Sequence, residues 1–540
     1  MMAGLPYAQT LVIMFVLMLA LTALARRLNI PYPILLVLGG LALGFIPRLT
    51  ALQLAPDLVF LVFLPPILWA AAYFTSLREF RRNLRPISLL AIGLVLATTA
   101  AVAIVIHALI PAMSWAAAFA LGAIVSPPDA VAATAIGHTL PIPRRVVVIL
   151  EGESLVNDAS ALVLYRSAVV AAVTGEFILS HALMEFVYAA IGGVLVGIVI
   201  GMVTRWALRL LDDGFTEIAV TLIAPYAAWV LAEQLHTSAV LACVAGGIYV
   251  RWHYSAITAP ATRLQARAVW EQLIFLLNGL IFILIGLQLG SLRAAIPDDR
   301  FGAVVWQAML VSLTAIVVRL VWVPLAAVVP RWLLRSVRDA DPMPPKQAMF
   351  LISWTGMRGV VSLASALALP LTIADGSPFP YRAEIILITF GVILATLVLQ
   401  GLSLAPIVKL LGFAPEHELE REEKHARRTA SAAALDRIAD LGQESWTNSE
   451  HLDRLRTLYE QRQRRLTEVD GADGECTPQD TIAYRRARQE ALAAERQAVL
   501  ELRNRGVISD DVLHRLEYEF DVEALRIGTG NERIPATSGA

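Results

Sequence analysis

The sequence predicts an all-α polytopic membrane protein with a helical cytoplasmic tail. Of its 540 residues, 57% are hydrophobic and only 16% are charged, whereas about 25% of the residues of a soluble domain are charged. Residues 415–540 hold 19 basic and 26 acidic side chains, which is half of all the charges in the chain. Long apolar stretches fill the rest. These observations exclude a soluble enzyme and a basic nucleic-acid binder, and two cysteines exclude a disulfide scaffold.

The apolar stretches are long enough to cross a bilayer, for which a helix needs about 20 residues. They predict about thirteen spans, near residues 8–25, 31–46, 54–74, 86–110, 114–137, 147–172, 182–208, 215–233, 237–252, 269–290, 303–329, 346–370 and 384–411. With the N-terminus outside, 18 basic residues fall on the cytoplasmic side and 4 on the outer side. This is the bias of the positive-inside rule. We therefore expect a multi-pass protein of the cell membrane with its C-terminal tail in the cytoplasm.

Three regions follow from the composition. Residues 1–414 form a predicted transmembrane domain, and residues 415–527 form a charged cytoplasmic domain in which apolar residues recur at helical spacing. Residues 528–540 contain Gly, Thr and Pro without an apolar pattern, so we expect them to be disordered.

The fifth predicted span contains two adjacent prolines followed by a carboxylate, Pro127-Pro128-Asp129. Proline lacks a backbone N–H and clashes with the preceding turn, so the helix should be interrupted here. Interrupted helices in transporters expose carbonyl groups and helix ends that bind substrates and ions. Asp129 is therefore a candidate cation ligand.

The sixth predicted span carries Glu153, Ser154, Asn157 and Asp158. Ser154 and Asp158 are four residues apart, so they share one helix face, and Glu153 and Asn157 form a second such pair. Hydroxyl and carboxylate oxygens suit Na⁺ or H⁺ better than a soft transition metal. Because one carboxylate binds either one cation or one proton, competition for Asp158 is sufficient for exchange.

The twelfth predicted span reads Gly356-Met357-Arg358-Gly359. The two glycines allow a local break in the helix and a close backbone approach. Three arginines, Arg166, Arg319 and Arg358, fall inside predicted spans. A lone buried guanidinium is costly, and we expect Glu153 to be the counter-ion of Arg358.

These three segments resemble those of the monovalent cation:proton antiporters of the sodium/proton exchanger type, in their bacterial form. The family's E-S-L-x-N-D-A block corresponds to Glu153–Ala159, its broken-helix aspartate to Asp129, and its G-x-R-G segment to Gly356–Gly359. Trp270–Phe282 and Leu64–Leu68 are similar to further family helices. The resemblance covers about residues 8–411.

The resemblance implies two inverted repeats, crossing broken helices in the fifth and twelfth spans, and a homodimer. It also implies roles for individual residues. Asp158 would exchange cation and proton beside Asn157, Ser154 would be a ligand, Asp129 would act directly or through water, and Glu153–Arg358 would be a supporting ion pair. In this family, an Asn-Asp pair such as Asn157-Asp158 is associated with electroneutral exchange.

Two departures from the family pattern concern the expected ion site. Many relatives have threonine where this chain has Pro128, and many have a carboxylate where this chain has Ala70. The sequence therefore leaves the choice among Na⁺, K⁺ and Li⁺ open.

The pattern leaves four functions open. Exchange of Na⁺, or another alkali cation, for H⁺ is the leading hypothesis, and K⁺/H⁺ exchange for potassium and pH homeostasis is the alternative. An intramembrane aspartyl protease would use Asp129 and Asp158, but neither lies in the expected G-x-G-D pattern. The fourth is a non-transporting scaffold or sensor. We expect no cofactor, since a nucleotide-binding G-x-G-x-x-G after a strand is absent.

Overall fold

A computed structural model describes most of the chain. The described residues are 5–28, 30–44, 59–129, 142–176, 178–294, 297–373, 376–413, 417–444 and 446–468, with short pieces between 491 and 523. The chain divides into two compact units, Met1–Pro415 and Glu416–Ala540. Each unit is described by itself below.

The described part of the first unit is helical. Its helices are α1 (Leu5–Leu28), α2 (Tyr32–Gly44), α3 (Val59–Phe74), α4 (Leu77–Arg82), α5 (Leu84–Leu109), α6 (Trp115–Val125), α7 (Arg144–Thr174), α8 (Leu179–Leu210), α9 (Gly214–Gln234), α10 (Ala239–Ile257), α11 (Pro260–Ala294), α12 (Asp298–Leu333), α13 (Arg335–Ala340), α14 (Lys346–Trp354), α15 (Val360–Leu367) and α16 (Arg382–Leu411). Short π-helical stretches open α3 and lie within α5.

Local sequence signals explain where several of these helices begin and end. Ser114, Asp213 and Ser238 precede α6, α9 and α10, and each side chain accepts a hydrogen bond from a backbone N–H in the first turn. These side chains satisfy donors that the helix itself leaves unpaired. Gly175 and Gly412 follow α7 and α16 with φ of 80° and 60°, a left-handed conformation that glycine adopts without steric cost.

Six helices in the described residues are long and apolar enough to cross a membrane, namely α5, α8, α9, α11, α12 and α16. Each coincides with a predicted span. Other predicted spans correspond to helices that are short or interrupted, among them α2, α3 and α6, and the span near 346–370 is divided into α14 and α15. The exact count of thirteen spans stays a prediction.

Helices α2 and α11 approach each other closely enough for backbone contact. A Cβ atom added at Gly40 would collide with the carbonyl oxygen of Ile283, and one added at Gly286 would collide with the carbonyl oxygen of Val37. Glycines at a crossing of this kind allow close packing where the bilayer supplies little hydrophobic drive between helices.

The buried side chains of the first unit form three main apolar clusters. The largest joins α1, α2, α3, α9, α10 and α11, the second joins α5, α6, α12 and α16, and the third joins α5, α7, α12 and α14. Helix α7 contributes side chains to all three clusters. The middle of α7 therefore lies at the boundary between groups of helices.

Asp341, between α13 and α14, connects three other segments. Its carboxylate accepts hydrogen bonds from Arg85 near the start of α5, from Arg145 at the start of α7 at 2.7 Å, and from Arg331 near the end of α12 at 2.8 Å. The Arg331 guanidinium also donates to the backbone carbonyl of Asp341 at 2.9 Å. One carboxylate thus fixes three helix ends.

The second unit contains α17 (His417–Leu441) and α18 (Ser449–Glu468), which pack against each other. Ion pairs between residues four apart, such as Arg454 with Glu450 at 2.6 Å, run along the exposed face of α18. Residues 528–540, which we predict to be disordered, lie outside the described residues.

Candidate functional site

The first interruption follows α6. The helix ends at Val125, and Ser126 to Asp129 are not helical. Because Pro127 and Pro128 have no N–H to donate, carbonyl groups near the break are left to other partners. The Val125 carbonyl accepts from Nε of Arg358 at 3.0 Å, and the Pro128 carbonyl accepts from Nδ2 of Asn157 at 2.8 Å. The break is therefore held by two buried side chains from distant segments.

The second interruption separates α14 from α15. Residues 355–359 are not helical, and the Arg358 N–H donates to the hydroxyl oxygen of Thr396 at 3.2 Å. The Asp129 N–H donates to the carbonyl oxygen of Met357 at 2.7 Å. A Cβ atom at Gly359 would collide with the Asp129 carboxylate, so any larger residue here would displace that carboxylate. The two interruptions are thus in direct contact, with Asp129 between them.

Helix α7 presents the remaining candidate ligands. Ser154 and Asp158 lie on one face, as their spacing predicts. Asp158 is 7% exposed and Asn157 is fully buried. The amide nitrogen of Asn157 is bonded to Pro128, so Asn157 connects α7 to the first interruption. The part of the chain that the structure describes offers no partner for the Asn157 Oδ1 atom.

A cavity of about 1250 Å³ opens onto these residues. Asp129, Ser154 and Asp158 all line it, so the structure brings three of the four predicted ligands to one space. Ala70 and Pro128, the two positions that depart from the family pattern, line it as well. Its other polar or charged lining residues are Tyr32, Tyr73, Thr75, Glu151, Arg251, Tyr254, Arg263, Arg267, Glu271, Asn278 and Ser362.

The partner of Glu153 differs from the prediction. Both oxygens of the Glu153 carboxylate accept hydrogen bonds from Arg319, at 2.5 and 2.7 Å, and both side chains are 1% exposed. The Arg319 Nε atom also donates to the Ile352 carbonyl at 3.0 Å. The predicted Glu153–Arg358 pair is therefore corrected to Glu153–Arg319.

Arg358 does not need Glu153 as its hydrogen-bond partner, because the interruptions supply backbone carbonyl groups to its guanidinium. Arg358 is itself 1% exposed, and its guanidinium donates to the carbonyl oxygens of Val125 and Gly356. Interrupted backbone leaves such carbonyls without helical partners, so Arg358 is satisfied without the carboxylate. Arg166, the third arginine within a predicted span, is exposed on α7.

Several buried polar residues of the cavity were not among the predicted ligands. Asn278 on α11 and Ser362 on α15 are 4% and 1% exposed, and within the described ranges Asn278 Oδ1 and Ser362 Oγ have no hydrogen-bond partner. A polar residue in the middle of an apolar span is the signal that could have marked them.

The cavity is lined by side chains with carboxylate, hydroxyl and amide oxygens. Among the described residues, no group of three or more His, Cys, Asp or Glu side chains is placed to hold a metal ion. Three guanidiniums line the cavity beside these groups, and oxygen ligands of this kind suit hard cations better than soft transition metals.

Over most of its length the chain is similar to known proteins. The family model described as "Sodium/hydrogen exchanger, transmembrane" matches residues 13–410. An uncharacterized Na⁺/H⁺ exchanger of Mycobacterium tuberculosis strain H37Rv is 35% identical over 512 residues, which are 94% of this chain and 93% of the relative. A sodium, potassium, lithium and rubidium/H⁺ antiporter of Bacillus pumilus is 33% identical over 77% of this chain and 64% of that protein.

The fold agrees with these sequence matches. The solved structure of the sodium proton antiporter MjNhaP1 from Methanocaldococcus jannaschii superimposes with a TM-score of 0.61, over 76% of this chain and all of that one, at 19% identity. The family consists of cation/proton antiporters, which are transporters and not enzymes. The family model matches residues 13–410, and the Mycobacterium relative aligns with nearly the whole of this chain. This chain therefore belongs to the sodium/hydrogen exchanger family.

Proposed function

We propose that this protein exchanges Na⁺, or another alkali cation, for H⁺ across the cell membrane, and that cation and proton compete for Asp158. The observation that carries the proposal is that Asp158 and Asp129 line one cavity at the contact between two helix interruptions. Buried ionisable side chains inside membrane spans are costly unless they are paired or face water, and they mark ion pathways.

Competition at one carboxylate is sufficient for coupling. Asp158 binds either a proton or a cation, and Ser154, one helical turn away on the same face, supplies a hydroxyl oxygen to the cation. Asp129 contributes its carboxylate from the first interruption, and its backbone is bonded to Met357. Asn157 holds α7 to Pro128 and so keeps these ligands together.

The charge count favours electroneutral exchange of one cation for one proton. The charge of Glu153 is balanced by Arg319, so it does not need to change during a cycle. If Asp129 also keeps one protonation state, Asp158 alone alternates and no net charge moves. In proteoliposomes with no pH gradient, we expect an imposed potential to leave cation uptake unchanged. Uptake driven by the potential alone would contradict the one-for-one ratio.

K⁺/H⁺ exchange is the second candidate. The Bacillus pumilus relative is named for sodium, potassium, lithium and rubidium. In this chain Ala70 and Pro128 line the cavity where many relatives supply a carboxylate and a hydroxyl. A site with fewer charged ligands favours a larger cation that is dehydrated at lower cost, which supports K⁺ beside Na⁺.

The wider architecture is part of the proposal. It comprises about thirteen spans, two inverted repeats whose broken helices cross, an outside N-terminus, a cytoplasmic tail and a homodimer. The hydrogen bond between Asp129 and Met357 supports the crossing, because it joins the fifth and twelfth predicted spans at their interruptions.

The proposal is tested in everted membrane vesicles loaded with a dye that reports ΔpH. Adding NaCl, KCl or LiCl separately should dissipate the gradient for each transported cation. Asp158→Asn keeps the shape of the side chain and removes its charge, so we expect it to abolish the response while the protein remains inserted. A normal response in this variant would refute the assignment of Asp158.

A further inference from the structure

The three arginines around Asp341 carry more positive charge than their shared carboxylate balances. Arg85, Arg145 and Arg331 each form an ion pair with Asp341, and in the described part of the chain none of the three has a second acidic partner. The charged groups that act most strongly on Arg331 are these same residues. We call the four residues the arginine cluster. Three positive charges against one negative charge leave the cluster with a net formal charge of +2.

The arginines of the cluster differ in how fully their N–H donors are used. Arg331 is 8% exposed, and all three of its nitrogens donate, to Asp341 and to two neighbouring carbonyl groups. Arg145 donates to Asn83 at 3.1 Å and to Asp341 at 2.7 Å. Within the described residues, Arg85 donates only from Nη2, to Asp341, and its buried Nε atom has no partner. A guanidinium has five N–H donors, so Arg85 and Arg145 have donors left for an anion.

The arginine cluster lies where apolar helices end. Arg85 is the second residue of α5, Arg145 is the second residue of α7, and Arg331 is in the last turn of α12. Helices α5 and α12 are both long and apolar enough to cross a membrane. Leu84 and Trp332, their exposed apolar neighbours in the chain, adjoin Arg85 and Arg331. The ends of such helices lie at the level of the lipid headgroups, where tryptophan is enriched.

We propose that the arginine cluster binds a phosphate group at the membrane surface through the free donors of Arg85 and Arg145. Guanidinium groups bind phosphate with pairs of parallel hydrogen bonds, which are strengthened by the opposite charges. Basic pockets between transmembrane helices bind anionic lipid headgroups in this way. The exposed apolar side chains of Leu84 and Trp332 favour a phospholipid as the source of the phosphate. The inference is independent of the proposed ion exchange, because no residue of the cluster lines the cavity.

Phosphate binding at this site has a measurable effect on stability. A phosphate held by Arg85 and Arg145 joins α5 to α7, since the two arginines belong to different helices. It also offsets the repulsion among three positive charges that meet at one carboxylate. A ligand that binds only the folded state raises the melting temperature as its concentration increases. For the first unit, residues 1–415, a ligand at ten to one hundred times its dissociation constant should raise the melting temperature by about 2–3 °C.

The experiment follows thermal unfolding of the full chain in a nonionic detergent. Short-chain phosphatidylglycerol, short-chain phosphatidylcholine and inorganic phosphate are titrated in separate arms. Phosphatidylglycerol should raise the melting temperature by about 2–3 °C, whereas phosphatidylcholine, whose own ammonium group balances its phosphate, should not. A rise with phosphatidylglycerol alone identifies a lipid as the source, and a rise with inorganic phosphate as well shows that the phosphate group is sufficient. No rise with either anion would overturn the inference.

Two variants test whether the cluster is the binding site. Arg85→Gln and Arg145→Gln should each raise the phosphatidylglycerol concentration that gives half of the maximal rise by at least about tenfold, because each loses charge-assisted hydrogen bonds to phosphate. The rise is measured from each variant's own melting temperature without ligand, so the lost ion pair to Asp341 does not affect it. Arg209→Gln is the matched control, since Arg209 is an exposed arginine in the last turn of α8. It should titrate like the wild type. Unchanged titrations in both cluster variants, or an equal loss in Arg209→Gln, would overturn the inference.

Discussion

The Glu153–Arg319 ion pair predicts a large energetic coupling between α7 and α12. Both side chains are 1% exposed, and two hydrogen bonds of 2.5 and 2.7 Å join them. Arg319→Met would leave the Glu153 carboxylate buried without its partner. Breaking a buried pair in this way costs about 3–5 kcal/mol, because the surviving charge is uncompensated. We therefore expect a marked loss of stability in either single variant.

The size of the effect in a melting experiment follows from the length of the unit. The first unit spans residues 1–415, and unfolding entropy is about 2.1 cal/mol/K per residue. A loss of about 3–5 kcal/mol then lowers the melting temperature by about 3–6 °C. The double variant Glu153→Gln/Arg319→Met removes both charges. Its melting temperature should therefore fall by less than the sum of the decreases in the two single variants.

The assay is a double-mutant cycle in detergent, followed by thermal unfolding of purified protein. Arg358→Met is the comparison, because the guanidinium of Arg358 is bonded to carbonyl oxygens of Val125 and Gly356. We expect coupling of Glu153 with Arg319 to exceed coupling with Arg358 by at least about 2 kcal/mol. Additive losses for Glu153 and Arg319, or stronger coupling of Glu153 with Arg358, would refute the pairing.

Three further predictions concern the site. At pH values low enough for protons to occupy Asp158, the half-saturating Na⁺ concentration should rise about tenfold for each pH unit that the pH falls, with an unchanged maximal rate. The reason is that protons compete with Na⁺ for Asp158 in proportion to their concentration. A fall in maximal rate alone would contradict competition. Gly359→Ala should lower vesicle exchange at least tenfold, because its methyl group would displace the Asp129 carboxylate, whereas Gly302→Ala, with nothing within 4 Å, should have no effect. Asn157→Ala should cost about 1–3 kcal/mol in a detergent melt, because it leaves the buried Pro128 carbonyl without its donor; an unchanged melting temperature would argue against that bond.

The features that could be predicted from the sequence are the ones that local chemistry determines. The interruption after α6 follows from two prolines that cannot donate a hydrogen bond. The break between α14 and α15 follows from glycines on both sides of Arg358. The shared face of Ser154 and Asp158 follows from helical periodicity alone. None of these conclusions requires knowledge of which helices are neighbours.

The partner of Glu153 could not be predicted in this way. Glu153 and Arg319 are separated by 166 residues, and only the packing of α7 against its neighbours selects Arg319 over Arg358. The position of Arg358 depends in turn on carbonyl groups freed by the other interruption. Asn278 and Ser362 belong to the cavity for a similar reason, since they come from α11 and α15.

Asp341 is the shared partner of three arginines, so three ion pairs depend on one side chain. These three ion pairs join Asp341 to Arg85, Arg145 and Arg331. Replacing one arginine leaves the other two ion pairs in place, whereas replacing Asp341 removes all three ion pairs at once and leaves three positive charges close together. Any rearrangement that separates these helix ends must break bonds at this single residue. Tolerance to substitution should therefore be asymmetric here, with each arginine individually replaceable and the aspartate not.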